Sequence, residues 1–300
     1  MFPAPGGKPS PLLKIGVPAL EDNLTYRLAM AQMRTEWGDV ERNLAHAGEL
    51  IAEGARQHCS VVVLPECLDV GWTHPDVAKL AQPVPGPGSE ALAEAARRHA
   101  LWVVAGLTER DGDRVYNTAV LLSPEGQVAL KHRKINVLDI AQPYYAIGDR
   151  LGVTQTPLGT IGVDICADNF VDSLVFAHSL ARMGARAILS PCAWAVDADH
   201  DNRNDPYGGF WKESYTTVAR LYDIPVVGVS NVGWIRGGPW EGRKCIGCSL
   251  AVARGGQVIT MGPYGEDAEA LIPIELEVSP MPVKGTEISG WLRQRESGGS

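Results

Sequence analysis

Three residues in this chain stand where a strand of an α/β protein stops, and their side chains can attack carbon or move protons. Glu66 follows the apolar run Val61-Val62-Val63-Leu64 and Pro65, at the kind of strand end where such folds build their sites. Cys166 closes Gly162-Val163-Asp164-Ile165, and a helix is expected shortly after it. That is the strand–turn–helix placement that lifts a hydrolase nucleophile above its sheet. Lys134 lies in the basic run Lys131-His132-Arg133-Lys134-Ile135. A thiol so placed could attack an electrophilic carbon, a carboxylate could carry its proton, and an ammonium could face a developing anion. Taken singly, each also has a plain reading. Glu66 could cap a helix or sit at the surface, the basic run could be a solvated face, and Cys166 could be a buried structural cysteine.

These residues need a sheet to hold them. Apolar runs and turn signals predict strands over 27–33, 61–64, 101–107, 117–122, 127–130, 160–165, 187–190, 225–230, 246–253 and 257–259. Helical spacing predicts helices over 41–56, 89–100, 173–183 and 211–222. Strands alternate with helices, yet turns such as Ser123-Pro124-Glu125-Gly126 join some strands directly. The expectation is an α/β fold with mixed sheets and helices outside them. Residues 1–24 read as an N-terminal surface arm, 25–280 as one domain, and 281–300 as a mixed, extended C-terminal tail.

The 300 residues carry 45% hydrophobic and 21% charged side chains, enough to bury a sizeable core. A net charge of −8 disfavours phosphate backbones, so no nucleic-acid partner is expected. No apolar run approaches the roughly 20 residues that span a bilayer, and residues 1–11 lack a signal-peptide plan. A cytoplasmic protein away from membranes is expected, with its six cysteines reduced.

Glu66 in Leu-Pro-Glu, Lys134 in Arg-Lys-Ile and Cys166 in Asp-Ile-Cys-Ala-Asp, in that order, resemble the Glu–Lys–Cys set of the nitrilase superfamily of carbon–nitrogen hydrolases. The resemblance runs from about Arg27 to Glu277 and takes in Met183-Gly184-Ala185, Pro191, Trp194, Ser230-Asn231-Val232-Gly233 and Gly247-Cys248-Ser249. It implies a four-layer αββα sandwich, formed when two αββα protomers pack their sheet-flanking helices together, and hence a homodimer or higher homo-oligomer. It also implies a catalytic triad. A free thiol with a pKa of about 8.5 is only slightly ionised at neutral pH and needs help. Glu66 would take its proton and pass it to the leaving amine. Lys134, with a backbone N–H near Cys166, would stabilise the oxyanion and keep Glu66 ionised by proximity. Water would then cleave the thioester. No metal and no cofactor is called for. The expected activity is hydrolysis of a small linear amide or carbamoyl compound. The alternatives are a nitrilase, or a catalytically weak member used for binding.

The sequence departs from the family's pattern at identifiable places. Many members carry a second glutamate beyond the lysine. Here Gln142 is the nearest match, with Asp139 before it. Asn169-Phe170-Val171-Asp172 replaces the usual arginine-bearing segment, and Ala167-Asp168 stands where true nitrilases carry Trp-Glu. Gln142, Tyr144, Asn169, Cys192 and Trp194 are the candidate substrate-binding residues, and Tyr207 sits in a polar loop expected near the pocket mouth. Cys67 and Cys192 are the alternative nucleophiles. Cys245-Ile246-Gly247-Cys248 lacks the further ligands of a zinc site. Asp197-Ala198-Asp199-His200-Asp201 fails as a calcium loop at its sixth and twelfth positions. Gly237–Lys244 lacks the ending of a phosphate loop.

Overall fold

Period-two alternation divides the first strands cleanly between two cores. Leu28, Met30, Val61, Val63, Val104 and Leu121 face one apolar cluster. Ala29, Ala31, Val62, Val103, Val120 and Leu122 face another. A strand whose two faces are both buried reads as a continuous apolar run, which is why Val61–Leu64 shows no polar alternation. The computed structural model describes residues 22–281 and 283–297.

In chain order the strands are β1 (Leu24–Gln32), β2 (Val61–Val63), β3 (Trp102–Asp111), β4 (Arg114–Leu122), β5 (Val128–Arg133), β6 (Val153–Thr156), β7 (Gly159–Val163), β8 (Ala187–Cys192), β9 (Ala195–Val196), β10 (Val226–Ser230), β11 (Val232–Trp234), β12 (Lys244–Ile246), β13 (Leu250–Val252), β14 (Val258–Met261) and β15 (Ala270–Val278). The helices are α1 (Val40–Arg56), α2 (Val77–Leu80), α3 (Pro87–His99), α4 (Val175–Arg182), α5 (Gly209–Tyr222) and α6 (Glu287–Ser297).

Two six-stranded mixed sheets, ordered β15-β1-β2-β3-β4-β5 and β14-β13-β10-β8-β7-β6, face one another. β1 meets β10, β3 meets β8, and β4 meets β7 across the interior. Helices α1 and α3 cover the outside of the first sheet, and α4 and α5 the outside of the second. The expected αββα sandwich is therefore present, with one correction: all four layers lie within a single chain, so no second copy is needed to complete them. Each fully buried Leu, Ile or Val in these layers contributes about 1.5–3 kcal/mol. Helix α1 shows how a layer attaches: the Asp39 side chain accepts the Arg42 N–H at its start, and Asn43, Ala47, Ile51 and Gly54 form the buried stripe.

Several expectations differ from what is observed. Residues 1–21 of the expected arm lie outside the described residues, while Leu24 already opens β1. The tail is not extended: α6 runs over Glu287–Ser297, with Ile288 buried and Trp291 and Leu292 packed against the core. The single strand expected over 246–253 is two. It breaks at Gly247 and Cys248, both with left-handed φ, so β12 joins a three-stranded sheet, β11-β12-β9, and β13 joins a six-stranded one. β15 was not anticipated. Pro273 interrupts its apolar run, which is compatible with a strand only at a sheet edge, and β15 is that edge, paired along its length with β1 alone.

Candidate active site

Residues from both facing sheets meet beyond their strand ends. Glu66 lies three residues past β2, Lys134 one residue past β5, and Cys166 three residues past β7. The Glu66 amide donates to the Cys192 carbonyl at 3.1 Å, which fastens the end of the first sheet to the end of the second. Gly106 of β3 lies directly beneath: a Cβ there would come within 2.5 Å of Glu66 Cα, so only glycine lets Glu66 settle so close to the sheet.

Lys134 Nζ donates to Glu66 Oε1 at 2.6 Å. Asn117 Nδ2, from β4, donates to the same oxygen at 2.6 Å. The Lys134 amide donates to the Asn117 carbonyl at 2.8 Å, so one residue of β4 registers both charged partners. Glu66 is 1% exposed and Lys134 3%. Burial works to lower the Lys134 pKa, but the charge and hydrogen bond of Glu66 together with the charges of Cys166 and Asp168 outweigh it, and the ammonium is held firmly. Glu66 Oε2 is buried and has no hydrogen-bond partner among the described residues. An orphaned oxygen on an otherwise fully held carboxylate calls for an explanation.

Cys166 opens a short 3-10 turn, Cys166–Asn169, with φ at +46°. A non-glycine residue in the left-handed region costs about 1–3 kcal/mol and persists only where its surroundings impose it. Two sets of bonds impose it here. The Cys166 amide donates to Ser190 Oγ at 3.1 Å, and Asn169 Nδ2 donates to the same hydroxyl and, at 2.6 Å, to Asp164 Oδ1. Asp164 is pushed up to about 6 by burial and then by the charge of Asp168. Burial, the adjacent Cys192 thiol and the charge of Glu66 push the Cys166 thiol up, and Lys134 pulls it down without prevailing. The resting sulfur is a neutral thiol that feels both members of the ion pair. At 7% exposure Cys166 is the most accessible of the three.

Asp168 is a residue the sequence reading passed over. Its Oδ1 accepts the Ile135 and Asn136 amides at 3.1 and 2.7 Å, and its Oδ2 accepts the Ile165 amide at 3.1 Å. His132 Nε2 lies 2.8 Å from Oδ2. One buried carboxylate therefore clamps the backbone after Lys134 to the backbone before Cys166. Asp168→Asn places an NH2 group against these amides. It should lower the free energy of unfolding by about 1.5–3 kcal/mol, readable in urea melts. Turnover should fall through kcat more than KM, because the ammonium and the sulfur lose their register.

The five residues expected to touch substrate are distributed unevenly. Gln142 is exposed and turned to the Val137 carbonyl and Asp139, so it does not stand in beside Lys134. Asn169 is buried and its amide nitrogen is committed to Asp164 and Ser190, which makes it a support of the cysteine loop. Cys192 Sγ contacts the Ser190 carbonyl at 3.3 Å and the Tyr215 hydroxyl at 3.6 Å, next to Cys166. Tyr144 is partly buried in a separate apolar cluster with Cys67, Trp72 and Ala193. The more deeply placed neighbour is Tyr145, whose hydroxyl accepts the Thr73 amide at 2.9 Å. Trp194 is 2% exposed and stacks on Trp211 with centroids 4.8 Å apart. Phe170 and Phe210 pack edge to face, and both meet Trp211. Tyr207 donates no proton to Trp211 but accepts its indole N–H at 2.8 Å. These rings form an aromatic wall carried by the cysteine loop, the turn after β8, and α5 with the segment leading into it. The Trp194 indole N–H has no partner among the described residues.

Known proteins resemble the chain at the level of both sequence and fold. The carbon-nitrogen hydrolase family pattern matches residues 27–279. A nitrilase of Pyrococcus abyssi is 31% identical over 256 residues, 83% of this chain and 90% of its own length. The omega-amidase NIT2 of Danio rerio is 31% identical over 179 residues, 56% of this chain and 64% of its own length, so that likeness spans under two thirds of the relative. Among solved structures, Saccharomyces cerevisiae Nit3, a member of branch 10 of the nitrilase superfamily, superposes with a TM-score of 0.71 at 22% identity over 92% of this chain and 94% of that one. The amidase from Nesterenkonia sp. AN1 superposes with a TM-score of 0.69 at 18% identity over 91% and 95%. On a match that spans most of its length, the chain belongs to the carbon–nitrogen hydrolase family, within the nitrilase superfamily.

Proposed function

We propose that this protein is a cysteine-dependent amidase. The observation that carries the reading is the division of labour on Glu66: one oxygen holds Lys134 and Asn117, the other is buried without a partner among the described residues, and the charge of the carboxylate is felt by the Cys166 thiol. That free oxygen is the proton acceptor. As the Cys166 sulfur bonds to the substrate carbonyl carbon, its proton passes to Glu66 Oε2. The carbonyl π electrons move to oxygen, and the Lys134 ammonium stabilises the resulting oxyanion in a water-poor site. The Cys166 amide is occupied by Ser190. The Ala167 N–H lies in the first turn of the 3-10 segment, where amides lack an intrahelical acceptor, and is the backbone donor for the oxyanion. Glu66 returns its proton to the departing nitrogen, the C–N bond breaks, and a thioester remains. Water, deprotonated by Glu66, then releases a carboxylic acid and regenerates the thiol.

The aromatic wall supports a small amide or carbamoyl compound with an apolar acyl portion, since no arginine stands after Cys166 to take a carboxylate. Ala167-Asp168 supports an amide over a nitrile. Ammonia release is the test, over short aliphatic, aromatic and carbamoyl amides and matched nitriles. Release from amides with an apolar acyl group is expected, and none from nitriles. Release from nitriles alone would make the chain a nitrilase. No release from any compound by folded protein would favour a weak member used for binding, for which the outward-facing Gln142 is the motive.

A further inference from the structure

A second site lies at the opposite end of the Cys166-bearing sheet. Strands β7 and β8 lead into Cys166 and Cys192 at their C-terminal ends. At their N-terminal ends, a cleft of about 330 Å³ opens between the edge strand β6, the start of β7, the end of α4 and the segment entering α6. Its lining is mixed. Val153, Met183, Met281 and Ile288 supply apolar surface, and Arg182, Arg186 and Lys284 supply charge. Among the described residues no aspartate or glutamate lines it, on a chain whose net charge is −8.

Arg186 is the unusual member. Its residue is 6% exposed, and its amide is fixed to the Thr160 carbonyl at 2.6 Å. Among the described residues its guanidinium reaches only the Gly184 carbonyl, at 3.0 Å, and the Met281 sulfur, at 3.2 Å. Two other partly buried arginines find acids: Arg133 pairs with Glu109 and Asp111, and Arg254 with Asp223 and Glu277. Arg186, more buried than either, has none among the described residues, and burial alone pushes it down to about 10. A buried charge is costly unless paired. A guanidinium with donors free toward a cleft is built for a planar oxyanion.

We propose that this cleft binds a small carboxylate with an apolar body, its carboxylate paired with Arg186 and flanked by Arg182 and Lys284, its hydrocarbon on Met183, Met281 and Ile288. The site is separate from Glu66, Lys134 and Cys166 and does not depend on their chemistry.

Calorimetric titration of the full chain with hexanoate, hexanamide and inorganic phosphate tests this. Hexanoate should bind saturably to the wild type and equally to Cys166→Ala, which separates the cleft from the reaction site. Arg186→Met should weaken it about tenfold or more, and the exposed-residue variant Lys284→Gln about threefold. Circular dichroism verifies that each variant is folded, and Lys284→Gln carries the test if Arg186→Met is not. Hexanamide is an amide of the class proposed for the Cys166 site, so whatever signal it gives there should be unchanged in Arg186→Met and Lys284→Gln. Undiminished hexanoate binding in both cleft variants, or none in the wild type, would overturn the site. Phosphate binding as tight as hexanoate, and equally dependent on these residues, would overturn the apolar body. Self-association lost in Arg186→Met, with no anion bound by the wild type, would make the cleft a contact between copies instead.

Discussion

Cys166→Ala should fold like the wild type and lose amide turnover by on the order of ten-thousand-fold or more. Alanine offers no atom to form the thioester, and no other group is placed to replace it. Cys192 and Cys67 are both fully buried. The Cys192 sulfur is occupied by the Ser190 carbonyl and Tyr215, and the Cys67 thiol donates to the Tyr145 hydroxyl. The fold should survive because the bonds that shape the turn come from the Cys166 amide, Asn169 and Asp168, none of which uses the sulfur. The measurement is twofold. Steady-state ammonia release gives the loss of rate. Mass spectrometry of rapidly quenched wild-type reactions should find the acyl group on the peptide containing Cys166, and no adduct on any peptide of the variant. Turnover retained by Cys166→Ala, or an acyl group on Cys192, would move the nucleophile and overturn the assignment.

How much of this was legible in the residues follows from where each signal sits. Val61–Leu64 and Thr160–Ile165 are short apolar runs that stop abruptly, so Glu66 and Cys166 advertise themselves as strand-end residues. Lys134 is legible only in company, since a basic run by itself describes a surface. The supports were not legible. Asn117 reads as an ordinary position in a strand, and Gly106 as a weak spot in one. Their roles exist only once β3 and β4 are laid beneath Glu66. Asp168 reads as a turn residue, because three of its four partners, His132, Ile135 and Asn136, lie more than thirty residues upstream. The loop over 139–149 carries no periodicity, so nothing in it says that Tyr145 turns inward and Gln142 outward. The aromatic wall joins Phe170, Trp194 and Trp211, which only the packing of α5 against the second sheet brings together. Edge elements failed for a related reason: β15 and β6 bury little on one side, and their patterns are correspondingly weak.

The ion pair at the centre of the site separates its structural from its chemical role through a second prediction. Lys134→Met removes the ammonium and leaves Glu66 buried with Asn117 as its one side-chain donor. Breaking a buried pair from one side costs about 3–5 kcal/mol, because the remaining charge is uncompensated. Lys134→Met should therefore be strongly destabilised in urea melts. Turnover should fall about 10²–10³-fold at least, the loss that follows removal of one oxyanion donor. Adding Glu66→Gln removes the stranded charge, and the double variant should regain most of the lost stability, since a neutral amide and a methionine are far cheaper to bury than a lone carboxylate. It should not regain activity: the glutamine cannot accept the thiol proton, and the oxyanion still lacks its cation. Stability that returns while turnover does not would mean that the pair acts on the reaction itself. Turnover that returned with stability would reduce Glu66 and Lys134 to scaffolding, and the proton acceptor would have to be sought elsewhere. The wild-type geometry argues against that outcome, because a pair kept only for structure has no reason to leave one carboxylate oxygen buried without a partner among the described residues.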